Sequence, residues 1–156
     1  MSSFTRFSAE MSVRYDRAAS ITLGADHWRV MEDFRYYIGD DASGGWVFVP
    51  AGYLTDGASV PRLFWNIIPP WGAYGQAAVV HDIVCEYLSV TQDGNAVAVS
   101  RSRCDKILLE AMEVIGVPWL TRTAIYAAVS AYRLVSGVSM PSSTPLKRAI
   151  EAQWNK

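Results

Sequence analysis

The chain has 156 residues, 51% of them hydrophobic and 19% charged, and 14 Lys and Arg stand against 15 Asp and Glu for a formal net charge of −1. That is the size and composition of one compact domain, too apolar for a disordered segment. The near-neutral balance excludes the basic footprint that phosphate-backbone binding requires, so no nucleic-acid partner is expected.

The opening segment, residues 1–20, has no continuous apolar run of the signal-peptide kind, so synthesis and residence in a cytoplasm are expected. Residues 1–55 read mainly as strands, because Trp28, Val30, Phe34, Tyr36 and Ile38 are mixed with polar residues and β-branched and aromatic types dominate. Residues 39–45 (Gly-Asp-Asp-Ala-Ser-Gly-Gly) form the turn of a hairpin whose second strand, residues 46–49, is ended by Pro50. Residues 56–72 read as an irregular loop: Asp56-Gly57 and Pro61 disfavour a regular element, and the apolar run that follows stops at Pro69-Pro70.

From residue 73 to 156 the pattern is mainly helical. Over residues 73–88 Ala77, Val84 and Leu88 align with His81, which places the imidazole on the inward face, and Asp82 lies about 100° further round. Residues 91–100, rich in Gly, Asn and Ser, read as a loop. A second helix over residues 101–115 has the stripe Cys104, Leu108, Ala111, Met112 and Ile115, with Asp105 in line with Leu108 and Met112. An acid on that stripe needs a partner. Gly116 stops this helix, Pro118 opens a third that ends near Gly137, and Thr144-Pro145 has the cap order of a short last helix reaching Trp154. Arg122, Ser130 and Arg133 interrupt the third helix, so it is expected in the core and no transmembrane segment is expected. The expectation is a single α+β domain over residues 1–156: a small N-terminal antiparallel hairpin or sheet, then three to four helices with two antiparallel core helices.

If those two helices pack side by side, His81 faces Asp105. A carboxylate bound to one imidazole nitrogen fixes the tautomer and frees the other nitrogen as a general base. The plain alternative is a core histidine satisfied by a buried acid. Asp82 is a hard oxygen ligand suited to calcium, and Asp56, on its glycine-supported loop, either completes an oxygen-rich site or simply closes an Asx-turn. Cys85 follows His81 by one turn and Cys104 precedes Asp105, which predicts neighbouring reduced thiols; with His81 they are also conceivable zinc ligands, though without a Cys-x-x-Cys. Ser59 is a possible nucleophile that lacks the elbow motif. Phe64, Trp65, Trp71 and Tyr74 are either core or an apolar channel for an acyl chain or partner.

The runs Phe48-Val49-Pro50-Ala51-Gly52-Tyr53-Leu54-Thr55-Asp56-Gly57-Ala58-Ser59-Val60-Pro61-Arg62, Ala77-Ala78-Val79-Val80-His81-Asp82 and Arg103-Cys104-Asp105 resemble a family of uncharacterised phage and prophage proteins, the domain of unknown function numbered 1353. The resemblance covers most of residues 45–135. In order and spacing, Asp56-Gly57, His81-Asp82 and Asp105 also resemble, more remotely, the calcium loop, His-Asp pair and distant acid of the bacterial phospholipases A2. That resemblance implies that His81 activates water, that Asp105 orients it, and that Asp82, Asp56 and the Gly57 carbonyl hold calcium (Ca2+) against the ester oxyanion. The secreted phospholipases have a tyrosine soon after the His-Asp pair; here Cys85 and Glu86 stand there, with Tyr87 displaced. Two functions are implied. One is a phage-encoded, calcium-assisted ester hydrolase acting on phospholipid. The other is a non-catalytic virion, tail or assembly component, made in the host cytoplasm, that meets other phage structural proteins and is incorporated in the virion.

Overall fold

A computed structural model describes residues 6–39, 42–57, 74–137 and 143–154. Ser59, Phe64, Trp65 and Trp71 lie outside the described residues. The class is α+β, with every strand pairing antiparallel.

Strands β1 (Val13–Tyr15), β2 (Trp28–Val30) and β5 (Leu54–Thr55) form a three-stranded sheet in the order β1-β2-β5. Strands β3 (Phe34–Tyr37), β4 (Gly45–Val49), β6 (Ser89–Gln92) and β7 (Asn95–Ala98) form a second sheet in the order β3-β4-β6-β7. The expected hairpin is the β3–β4 pair, with Phe34 opposite Val49 and Tyr36 opposite Val47. Along β4 the burial alternates, so one face carries Val47 and Val49 into the core.

Two segments differ from the sequence expectation. Residues 17–23, expected among strands, form helix α1 (Arg17–Leu23): the Asp16 carboxylate accepts from Ala19 N at 3.0 Å, and Gly24, at φ 77°, closes the other end. Residues 91–100, expected as a loop, contain the turn and second strand of the β6–β7 hairpin. Its two turn residues, Asp93 and Gly94, both have positive φ (51° and 82°), as a two-residue hairpin turn requires. Every residue of β7 is exposed, so no inward alternation marked it in the sequence.

The helices fall where their periodicity placed them. Helix α2 (Gly75–Tyr87) ends at Leu88 in the left-handed region, and α3 (Arg101–Ile115) starts from Ser100, whose hydroxyl accepts from Arg103 N at 3.1 Å. Helix α4 (Trp119–Ser136) runs between Pro118 and Gly137, and α5 (Pro145–Ala152) is capped by Thr144. Among the described residues no helix is long and apolar enough to cross a membrane.

Helix α2 is the centre of the core. It packs on α3 and β4, α3 packs in turn on α4, and Ala77, Val79, Val80 and Val84 are wholly buried. A helix apolar nearly all round is stable only inside. Phe34, Tyr36, Val49, Ile107 and Met112 fill the space around it, and Phe7 stacks on Tyr36 with ring centroids 4.9 Å apart. Next to that stack Arg6 pairs with Glu110 of α3 at 2.5 Å.

Candidate active site

His81 sits mid-way along α2 and Asp105 in the first turns of α3, on the facing stripes that burial of the apolar residues creates. Their side chains meet: His81 Nε2 lies 3.0 Å from Asp105 Oδ1. An ionised carboxylate only accepts, so Nε2 carries the hydrogen and donates it. Cys85 Sγ is 3.4 Å from the same nitrogen, and its thiol hydrogen-bonds to Cys104 on α3. The register, His81 to Asp105 and Cys85 to Cys104, runs down one helix as it runs up the other, which is the expected antiparallel pair. Both cysteines are free and buried.

A third helix completes the arrangement. Arg133 of α4 donates from Nε to Asp105 Oδ2 at 2.9 Å, so each carboxylate oxygen has one cationic partner. Burial alone would raise the Asp105 carboxyl, but the hydrogen bonds from His81 and Arg133 hold it below the usual carboxylate value. Burial pulls the His81 imidazole down, yet its hydrogen bonds to Asp105 and Cys85 outweigh that and push it up to about 9. At neutral pH the centre is an imidazolium, a carboxylate and a guanidinium, one from each of three helices. The His81 side chain is 12% exposed, and among the described residues both of its polar contacts are made through Nε2, not Nδ1. The two thiols are driven apart: the hydrogen bond it gives to Cys104, together with burial, raises Cys85, and receiving that bond lowers Cys104.

Asp82, one residue on, points to a different cluster. Its Oδ2 accepts from Thr55 Oγ1 at 3.0 Å, and the same hydroxyl receives Gly57 N at 3.2 Å, so the Asp56-Gly57 turn does come to Asp82. Among the described residues, Lys147 of α5 faces these acids. It pairs with Glu86, lies 4.5 Å from the Tyr53 ring centroid, and feels the negative charges of Glu151, Asp82 and Asp56, which oppose the downward pull of burial on its ammonium. Burial, and then the same acids, push the Tyr53 phenol well up. Among the described residues no group of three His, Cys, Asp or Glu side chains is placed to hold a metal ion.

Tyr74 is buried at the start of α2, about two turns before His81, and belongs to the core cluster. Sequence reasoning missed Arg133, Glu86 and Lys147. Arg133 was detectable, because it continues the inward row of Ile125 and Val129, where a cation must find an acid. Lys147 gave no such signal: it lies on a helix none of whose residues is buried.

The fold and the site define an α+β domain with an ionic centre clamped by three helices. A family model described as protein of unknown function (DUF1353) matches residues 28–129, and the chain belongs to that family. It is also similar to the uncharacterized protein y4jT of Sinorhizobium fredii (strain NBRC 101917 / NGR234), with 36% identity over 107 residues, covering 67% of this chain and 28% of that protein. This chain thus matches less than a third of that relative's length. No solved structure matches the chain.

Proposed function

We propose that the protein is a phage-type ester hydrolase resembling phospholipase A2, with His81 and Asp105 as its catalytic dyad. The observation that carries this reading is the 3.0 Å contact of Asp105 with Nε2, which leaves Nδ1 as the nitrogen that can face a water. In that role Nδ1 takes a proton from water as the oxygen attacks the ester carbonyl, and the imidazolium returns a proton to the leaving alkoxide. Asp105 holds the ring and its charge throughout. Arg133 supports Asp105, the task that a tyrosine performs in the secreted phospholipases. The phage setting rests on the resemblance of residues 48–62, 77–82 and 103–105 to phage and prophage proteins. No step is assigned to calcium.

A second reading is a non-catalytic virion, tail or assembly component, and the charged state of the centre favours it. An imidazolium held between Asp105 and Cys85 ties α2 to α3, and Arg133 ties both to α4. Fatty-acid release from mixed phospholipid vesicles separates the two, measured with calcium, with chelator and with His81→Gln. Release that vanishes in the variant and rises with pH toward about 9, as the imidazole loses its proton, supports the dyad. Loss of release in chelator would add a metal requirement. A folded protein that releases nothing is the structural component, to be sought in purified virions.

A further inference from the structure

Helix α4 breaks the rule that a surface helix is polar on its outer side. Its inward face buries Ile125 and Ala128, and its only two charged residues are engaged with the body of the domain: Arg133 on Asp105, Arg122 on Val117 O and Glu113. The outer face then carries Leu120, Ala124, Ala127, Ala131, Leu134 and Val135, with no charged group among them. Leu120 is 74% exposed, Leu134 72% and Val135 89%, and Trp119 at the start of the helix is 63% exposed. An apolar stripe of this length on the outer side of a surface helix calls for a partner.

We propose that this face is the contact between two copies of the chain, packed α4 against α4 in antiparallel fashion about a two-fold axis at Ala127. Three observations select a second copy as the occupant. First, the exposed stripe Leu120, Ala124, Ala127, Ala131, Leu134 steps by four and three residues, the spacing of a helix–helix seam. Second, the stripe reads the same from either end, large, small, small, small, large. An antiparallel two-fold sets Leu120 against Leu134 of the other copy and Ala127 against itself, as an isologous interface demands. Third, the face is uncharged, so two identical faces meet without repulsion and leave no ionised group desolvated. The alanines let the helix axes approach closely, and antiparallel helix dipoles attract. The exposed side chains present on the order of several hundred Å² of apolar surface, the size of patch that on a monomer is often functional and that approaches one side of a standard interface. A lipid surface would call for a cationic face beside the apolar one, and both α4 arginines are turned inward.

Sedimentation velocity over a hundredfold concentration range, on the full chain, gives the first test. The protein should run at twice its chain mass, and Ala127→Glu, which sets two like charges on the axis, should run as a monomer with unchanged circular dichroism. Disulfide trapping keeps the proposal testable if that variant misfolds. Ala127→Cys should cross-link to itself, and a mixture of Leu120→Cys and Leu134→Cys should cross-link although neither does so alone. A monomer at every concentration overturns the proposal and would point to a different protein or a membrane as the occupant. A dimer insensitive to Ala127→Glu with no trapping at 127 places the interface elsewhere. Self-trapping by Leu120→Cys alone makes the pairing parallel.

Discussion

The imidazole of His81 stays charged through neutral pH because the carboxylate it faces is ionised and already fixed by Arg133. Its folded value, about 9, lies above the 6.5 of an unconstrained histidine, so the folded state binds the proton more tightly than the unfolded one. The resulting stabilisation is complete below pH 6.5 and is lost as pH rises from there through 9. Its ceiling is on the order of 3 kcal/mol, from the separation of the two values. Urea denaturation at pH 6 and pH 9.5 should therefore show a lower midpoint at the higher pH, and His81→Gln should remove that difference. Over the same range a hydrolase using His81 as base gains activity while it loses stability. Asp105 is the residue on which both effects depend: Asp105→Asn leaves the Arg133 and His81 charges without their shared anion, at a cost of about 3–5 kcal/mol read from a thermal melt.

Elements were legible in the sequence where they bury a stripe or carry a plain start or stop signal, as α5 does with Thr144-Pro145 although it buries nothing. Helices α2 and α3 bury a stripe, and their periodicity, with Ser100 and Gly116 as boundaries, located them closely; α4 was located by Pro118 and Gly137, but it buries only Ile125 and Ala128 and lies largely at the surface, not in the core as expected. The His81–Asp105 pairing followed from that periodicity, since both lie on the buried stripes. Strand β7 has no buried residue and α1 buries only Ala19 and Ser20, so neither projects a period onto the chain. What marks them instead is local chemistry: the Asp16 cap and Gly24 stop of α1, and the Asp93-Gly94 step of the hairpin. Gly94 tests that local control. A Cβ there meets no atom within 4 Å, so Gly94→Ala carries only the strain of φ 82°, expected at about 1 kcal/mol in chemical denaturation. At Gly52 a Cβ would also come within 2.8 Å of the Trp154 ring, so the same substitution there costs more.

Across the whole molecule, long-range ionic contacts tie the chain's two ends to the centre. At one end Arg6 reaches Glu110 of α3. At the other, Lys147 reaches Glu86 of α2, and Glu151 Oε2 accepts from Leu54 N at 3.0 Å, so α5 binds both the core helix and β5 although none of its residues is buried. Replacing Lys147 by Met should lower the melting temperature strongly, at about 3–5 kcal/mol, because Glu86, whose Oε2 already has no partner among the described residues, would lose its cation. Adding Glu86→Gln should restore much of the loss, and a double-mutant cycle measures how much.

The family match begins after Arg6 and Phe7 and stops before Arg133, part-way along α4, and before all of α5. The matched residues of this chain therefore include Glu86, Glu110 and Asp105 with its partner His81, but none of Lys147, Arg133 and Arg6 that also pair with these acids here. Cut from this chain, residues 28–129 would keep these acids and lose Lys147, Arg133 and Arg6. That segment expressed alone should therefore melt below the full chain, a difference that a thermal melt followed by circular dichroism reads.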